Sequence, residues 1–300
     1  MKHFLNTLAI TSVILITQGC SISPKAEEKP TTSTKQNQDH SMSTETSSSA
    51  QSNLPQGHSM TNMGKEEASP LAQAKLISPK NIAPNKPVSL GINVQESTGK
   101  SITKFDTFQE KLMHLIVVSD DLQFFSHLHP NYKEDGRFEV EATFPTSGKY
   151  TLFSDYKPSG QKEEVSVLKT QVAGSIPPTP PINLNTTKIF ADTKANLISS
   201  QPTLKAGQEV TLTFDLKQNS NNQPITDLQP YLGEQGHLVI LKQSSPLTKA
   251  NYIHAHAMKD NPVGKVSFMS SFQTSGKYKL WGQFNRNGKI IIADFWINVF

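Results

Sequence analysis

Six of the nine histidines in this 300-residue chain fall into two sets of three with the same internal pattern. His114 is followed by the pair His127 and His129, and His237 by the pair His254 and His256. On a β-strand a His-x-His pair projects from one face, with the two residues roughly 6.6 Å apart along the chain. Two imidazoles so placed can lean toward one ion at metal–nitrogen distances of about 2.0–2.1 Å. A third histidine from another strand would complete a three-nitrogen set with an open position. A lone His-x-His pair is ordinarily solvated or hydrogen-bonded, and a lone histidine in an apolar strand is ordinarily a satisfied core residue. The duplication moves the balance toward metal. Folding needs apolar periodicity, not imidazole, yet both copies carry the triplet and neither has a histidine elsewhere. The competing reading is structural: the rings bridge backbone carbonyls at a domain–domain contact, and the two triplets could face each other across it.

Two more chemical phrases stand upstream. His40-Ser41-Met42 and His58-Ser59-Met60 combine imidazole with thioether, ligands that suit copper, the thioether especially in its reduced state. On that basis copper is the preferred ion and zinc the alternative, since neutral imidazole suits both. Met258, just after the second pair, reads as an accessory soft ligand or as filler of an irregular core gap, the filler being favoured. Asp155 has Gln283 at its counterpart, so a carboxylate ligand there would exist in one copy only. Asp120 and Asp121 read as a turn.

The elements that must carry these rings are short strands, written twice. Val88, Leu90, Ile92 and Val94 alternate, and return as Val210, Leu212, Phe214 and Leu216. Ser101-Ile102-Thr103 returns as Pro224-Ile225-Thr226, and twelve residues after each isoleucine stands the first histidine of a triplet. Thr146-Ser147-Gly148-Lys149-Tyr150 returns as Thr274-Ser275-Gly276-Lys277-Tyr278. Period-two alternation between turn clusters is the strand signal. Met113–Val118 and His237–Leu241 are apolar on both faces and read as central strands covered on both sides. The repeated Gly-Lys-Tyr fits a tyrosine corner. The expected fold is therefore all-β: two tandem immunoglobulin-like sandwiches over residues 74–174 and 186–300. The Pro-rich segment 175–185 is a stiff spacer between them.

What precedes the repeats is of another kind. Residues 1–19 read as a signal segment, with an apolar run too short to span a bilayer comfortably. Gln18-Gly19-Cys20 resembles the lipobox of bacterial lipoproteins, although Thr17 and Gln18 depart from its usual residues. The resemblance implies acylation of Cys20 and a chain anchored to a lipid bilayer outside the cytoplasm. Residues 20–73 are polar, with too few large apolar side chains to offset their ordering entropy, and read as a disordered tether.

Hydrophobic residues make up 35% and charged residues 18%, in keeping with a chain that is partly tether. A net charge of +4 without a Lys/Arg run gives no nucleic-acid partner. The single cysteine excludes an intramolecular disulfide framework and any multi-cysteine zinc or iron–sulfur site. No nucleophile elbow, P-loop, dinucleotide fingerprint or His-Glu-x-x-His occurs. The expectation is a non-enzymatic protein.

Gly236-His237-Leu238-Val239, Ile253-His254-Ala255-His256 and Gly276-Lys277-Tyr278, with Met113-His114-Leu115-Ile116 and His127-Leu128-His129-Pro130 in the first copy, carry a family resemblance. They resemble exported bacterial proteins similar to the FixH/YtkA-like and CopC-like immunoglobulin-type sandwiches of the cell envelope. That resemblance implies heavy-metal handling, copper among the metals. The chain lacks the Met-rich pattern of periplasmic copper chaperones and an N-terminal histidine brace. The resulting expectation is a tethered envelope protein that chaperones or buffers copper through its histidine triplets. The alternative is a structural or protein-interaction module with an envelope protein as partner and no metal.

Overall fold

The computed structural model describes residues 72–300, so the calls on the signal segment, on Cys20 and on His40, Met42, His58 and Met60 lie outside the described residues. No described helix is long and apolar enough to cross a membrane.

The first repeat contains β1 (Ala72–Ile77), β2 (Pro87–Glu96), β3 (Met113–Ser119), β4 (Phe125–Leu128), β5 (Asn131–Tyr132), β6 (Arg137–Thr143), β7 (Gly148–Tyr156) and β8 (Glu164–Val172). The second contains β9 (Thr187–Phe190), β10 (Thr193–Ser199), β11 (Glu209–Gln218), β12 (Leu228–Gln229), β13 (His237–Lys242), β14 (Tyr252–His256), β15 (Lys265–Ser271), β16 (Gly276–Arg286) and β17 (Lys289–Val299). β1 opens at Ala72, two residues inside the segment read as tether, because Ala72 and Ala74 are buried in the first core.

Each repeat is a sandwich of two antiparallel sheets. The first stacks β1-β2-β6-β5 on β4-β3-β7-β8. The second stacks β9-β10-β11-β15 on a sheet in which β13 lies between β14 and β16, and β16 also pairs with β17 and β12. The alternation in β2 puts Leu90, Ile92 and Val94 into the core, and β11 does the same with Val210, Leu212, Phe214 and Leu216. Burying each such side chain contributes about 1.5–3 kcal/mol. Both tyrosine corners form: the Tyr150 hydroxyl donates to the Thr146 carbonyl at 2.8 Å, and Tyr278 to that of Thr274 at 2.6 Å. The fold is two tandem immunoglobulin-like sandwiches, as the repeat pattern predicts.

The two-sided apolar runs have a specific cause. β3 and β13 turn one face into their own sandwich and the other toward the opposite repeat. Ile116, Val118, Phe125 and Phe153 meet Val239, Leu241, Trp281 and Trp296 in a third apolar cluster. Phe125 stacks on Trp281, with ring centroids 4.9 Å apart, and Tyr252 stacks on Phe153 at 4.8 Å. In the repeat register Tyr252 is the counterpart of Phe125, and Trp281 that of Phe153. The two stacks are therefore one contact made twice in opposite senses, as across a two-fold dimer interface. The facing sheets hold the triplets at one end of this contact.

Candidate metal centre

In each repeat the first histidine enters on a central strand and the pair on the edge strand beside it. His237 on β13 pairs directly with His256 on β14, and Val239 with His254. In the first repeat Ile116 pairs with His127 and Leu115 with Leu128, so His129, just past the end of β4, falls beside His114. One ligand-capable nitrogen from each of His114, His127 and His129 lies within 4.8 Å of the others, and the same holds for His237, His254 and His256. Each sequence-predicted triplet converges.

The second nitrogen of several rings is held by an oxygen, which fixes the proton. His114 Nε2 lies 3.2 Å from the Phe108 carbonyl, and His237 Nε2 lies 2.9 Å from the Tyr231 carbonyl. A carbonyl only accepts, so both Nε2 atoms carry hydrogen and both Nδ1 atoms present a lone pair. The two carbonyls sit in equivalent tight turns. Phe108 and Lys111 exchange both backbone bonds, as do Tyr231 and Glu234. The central residues Gln109, Glu110, Leu232 and Gly233 all have positive φ (48°, 63°, 53° and 78°), the type I′ pattern. Three of the four are not glycine, and each costs on the order of 1–2 kcal/mol in this conformation. Strain of this kind clusters where geometry serves a site.

The edge histidines are held from the opposite repeat. His127 Nδ1 donates to Gln283 Oε1 at 3.0 Å, and His254 Nδ1 lies 3.4 Å from Asp155 Oδ2. Asp155 and Gln283 occupy equivalent positions beside His114 and His237. Protons on both Nδ1 atoms leave both Nε2 atoms as acceptors. His114 Nδ1 and His127 Nε2 thus aim lone pairs at each other across 3.0 Å. Two nitrogens bound to one tetrahedral ion at 2.0–2.1 Å would lie about 3.3 Å apart. In the second set, His237 Nδ1 and His254 Nε2 are buried with no hydrogen-bond partner among the described residues, as is His129 Nε2 in the first. Orphaned buried acceptors of this kind are what a cation would satisfy.

A family model described as a domain of unknown function (DUF8832) matches residues 72–173 and again residues 191–300. The chain belongs to that family. No curated protein matches it. Solved structures similar to it include a membrane-anchored protein from Corynebacterium diphtheriae, at 10% identity over 76% of this chain and 58% of that one, with a TM-score of 0.24. Invasin, a bacterial integrin-binding protein, shows 12% identity over 75% and 39%, with a TM-score of 0.22. A tetra-tandem repeat from the extending region of a large adhesion protein shows 11% identity over 76% and 49%, with a TM-score of 0.26. The chain spans 58% of the first of these and less of the other two. At these TM-scores the likeness carries no argument, and the fold stands on the strand order.

Within the two DUF8832 copies, burial governs protonation. His114 and His237 are fully buried (0%), and desolvation, reinforced by the neighbouring imidazoles, holds them down to about 2 and about 3. His254 is held to about 3 and His129 to about 4, both first by burial, and His127 lies well below the usual imidazole range for the same reason. Burial acts in the opposite direction on Asp155, raising it to about 7. The Asp155–His254 contact is thus not a strong ion pair, because each group is pushed toward its neutral form. At neutral pH these five imidazoles are unprotonated, the form that binds metal.

Three sequence readings are refined. Asp155 stands behind His254 of the other copy, because the sheets face each other, and it is no ligand of its own copy's triplet. Met258 is 37% exposed, so it fills no core gap. Asp120 and Asp121 do lie in a turn, closed by Leu122 N–H to the Ser119 carbonyl at 2.9 Å. Sequence reasoning missed Gln109, whose side-chain amide of the first copy stands against His256 Nε2 of the second. Its only signal is a place in a turn equivalent to Tyr231–Glu234. The triplets also approach each other: the His254 ring lies 5.8 Å from His114 and 6.0 Å from His127, and His127 lies 6.4 Å from His237.

Proposed function

We propose that this protein binds a transition-metal ion outside the cytoplasm, copper in preference to zinc, and serves to chaperone or buffer it. The observation that carries the reading is the pair His114 Nδ1 and His127 Nε2, facing each other at 3.0 Å with both protons placed elsewhere by Phe108 and Gln283. With protons on His114 Nε2 and His127 Nδ1, the facing lone pairs form a ready site for a cation, and burial works against a proton in that role. The His-Ser-Met phrases upstream favour copper, while the imidazole sets themselves suit either ion. Resemblance to the FixH/YtkA-like and CopC-like envelope proteins supports the same role. Lipid anchoring through an acylated Cys20 would hold the protein at the cell envelope. The activity is binding rather than catalysis.

The second reading is a metal-free interaction module, and one observation favours it: His114 and His237 each bond a backbone carbonyl, and His127 bonds across the repeats. Those bonds would brace the interface without an ion. Titration of the full chain with Cu²⁺ and with Zn²⁺ separates the two. On the metal reading, saturating ion raises the melting temperature, by about 2.7 kcal/mol of stability at one hundred times Kd. His254→Ala combined with His256→Ala should abolish most of that rise. If neither ion shifts the melting temperature, the metal reading is wrong. Elemental analysis of protein purified without chelator identifies the ion.

A further inference from the structure

The two triplets are copies in sequence, but three of the differences in their surroundings favour a cation in the second. Behind the second set, His254 Nδ1 faces the carboxyl group of Asp155 at 3.4 Å, which a bound cation would draw into its ionised form; behind the first, His127 Nδ1 faces an amide that has no such form, Gln283. Beside the first set stands Lys111, whose positive charge acts on His129. Its counterpart in the second turn, closing the same backbone bridge, is Glu234. The third difference is a donor atom. Gln109 reaches from the first repeat to His256, with its Nε2 against His256 Nε2, and its Oε1 is buried without a hydrogen-bond partner among the described residues. The counterpart of Gln109 is Leu232, which has no donor atom to offer.

We infer that the centre takes two ions of unequal affinity, side by side. The tighter site is His237, His254 and His256, supplemented by the Gln109 amide oxygen and backed by the Asp155 carboxylate. The weaker site, with three donors only, is His114, His127 and His129. This rests on the metal-binding reading and extends it. A carboxylate behind a ligating imidazole raises its basicity and offsets the charge of the cation, whereas an amide only orients the ring. A nearby ammonium opposes a second positive charge. Imidazole rings of the two sets lie 5.8–6.4 Å apart, so each ion also feels the other through a partly desolvated gap, which widens the difference in the second step. A four-donor site retains its ion, and a three-donor site with a vacant coordination position exchanges it. One site would hold metal permanently while its neighbour receives and releases it.

The test is calorimetric titration of the full chain carrying Cys20→Ser, His40→Ala and His58→Ala, with Zn²⁺ as the probe. Two ions should bind per chain, in steps separated at least tenfold. His254→Ala should remove the tighter step and His127→Ala the weaker one. Asp155→Asn should weaken the tighter step by about 10–100-fold, the usual effect of losing an outer-shell partner. Because Asp155 is buried, two variants that install the other copy's residue guard against a folding artefact. Gln109→Leu should weaken the tighter step, and Lys111→Glu should strengthen the weaker one. One ion per chain, two equal steps, or a separation unmoved by Asp155→Asn, Gln109→Leu and Lys111→Glu would each overturn the inference while leaving metal binding intact. Absence of any Zn²⁺ or Cu²⁺ uptake would instead overturn the function proposed above.

Discussion

Acid should unfold the metal-free protein far more readily than its all-β core alone would suggest. Four imidazoles, His114, His129, His237 and His254, are kept neutral by burial at pH 5, and burial moves His127 in the same direction. In the unfolded chain each has a pKa of about 6.5, so at pH 5 it gains about 2 kcal/mol by taking up a proton that the folded state refuses. The sign follows from the depressed folded values: this stability is present above the unfolded pKa and is lost as pH falls. Four sites give about 8 kcal/mol between pH 7.5 and pH 5. Asp155 runs the other way, since its folded value is raised to about 7 and its strain is relieved by acid. Its burial costs about 4 kcal/mol at pH 7.5 and under about 2 at pH 5, returning roughly 2.5 kcal/mol. The net loss is therefore about 5–6 kcal/mol, enough to lower the melting temperature by about 10–20 °C in a unit of this size. Scanning calorimetry of the chelator-treated full chain from pH 7.5 to pH 5 measures it. A melting temperature constant to a few degrees over that window would refute the buried neutral cluster. So would one that rises on acidification.

Other substitutions probe the frame around the site. Phe125→Ala removes the ring stacked on Trp281 and should cost about 3–5 kcal/mol in urea denaturation, as Phe→Ala changes in cores do; a loss under about 1 kcal/mol would mean that the two repeats do not depend on this contact. Tyr278→Phe deletes the hydroxyl bond to the Thr274 carbonyl and should cost about 1 kcal/mol in the same assay, with Tyr150→Phe matching it. Gly236→Ala puts a Cβ 2.9 Å from the Phe284 ring and 3.0 Å from the Gln283 carbonyl, so overpacking beside His237 should cost about 1–3 kcal/mol; unchanged stability would show that β13 and β16 can part freely there.

Much of this design can be read directly from the chain, and the remainder has identifiable causes. Alternation in β2 and β11, and the repeated Thr-Ser-Gly-Lys-Tyr, specify sandwich cores and tyrosine corners because both depend on short-range pattern. The two histidine triplets are legible for the same reason: strand periodicity fixes which residues share a face. Apolar residues on both faces of Met113–Val118 signal a second covering layer, but nothing local says that the cover is the other repeat. Asp155, Gln283 and Gln109 are invisible as partners because their contacts cross between repeats, at separations of 99, 156 and 147 residues. The two type I′ turns are obscured by composition. Gln109, Glu110 and Leu232 are poor candidates for positive φ, and only Gly233 announces the bend.

The mirrored contact between the repeats carries a further consequence for what the chain is free to become. Had a single sandwich associated with an identical copy, any amino-acid replacement would strike both halves simultaneously, and the two centres would be compelled to remain twins. Joining the halves in one polypeptide lifts that compulsion. An aspartate can stand on one side and a glutamine on the other, so one ancestral pocket can be kept while its duplicate is retuned.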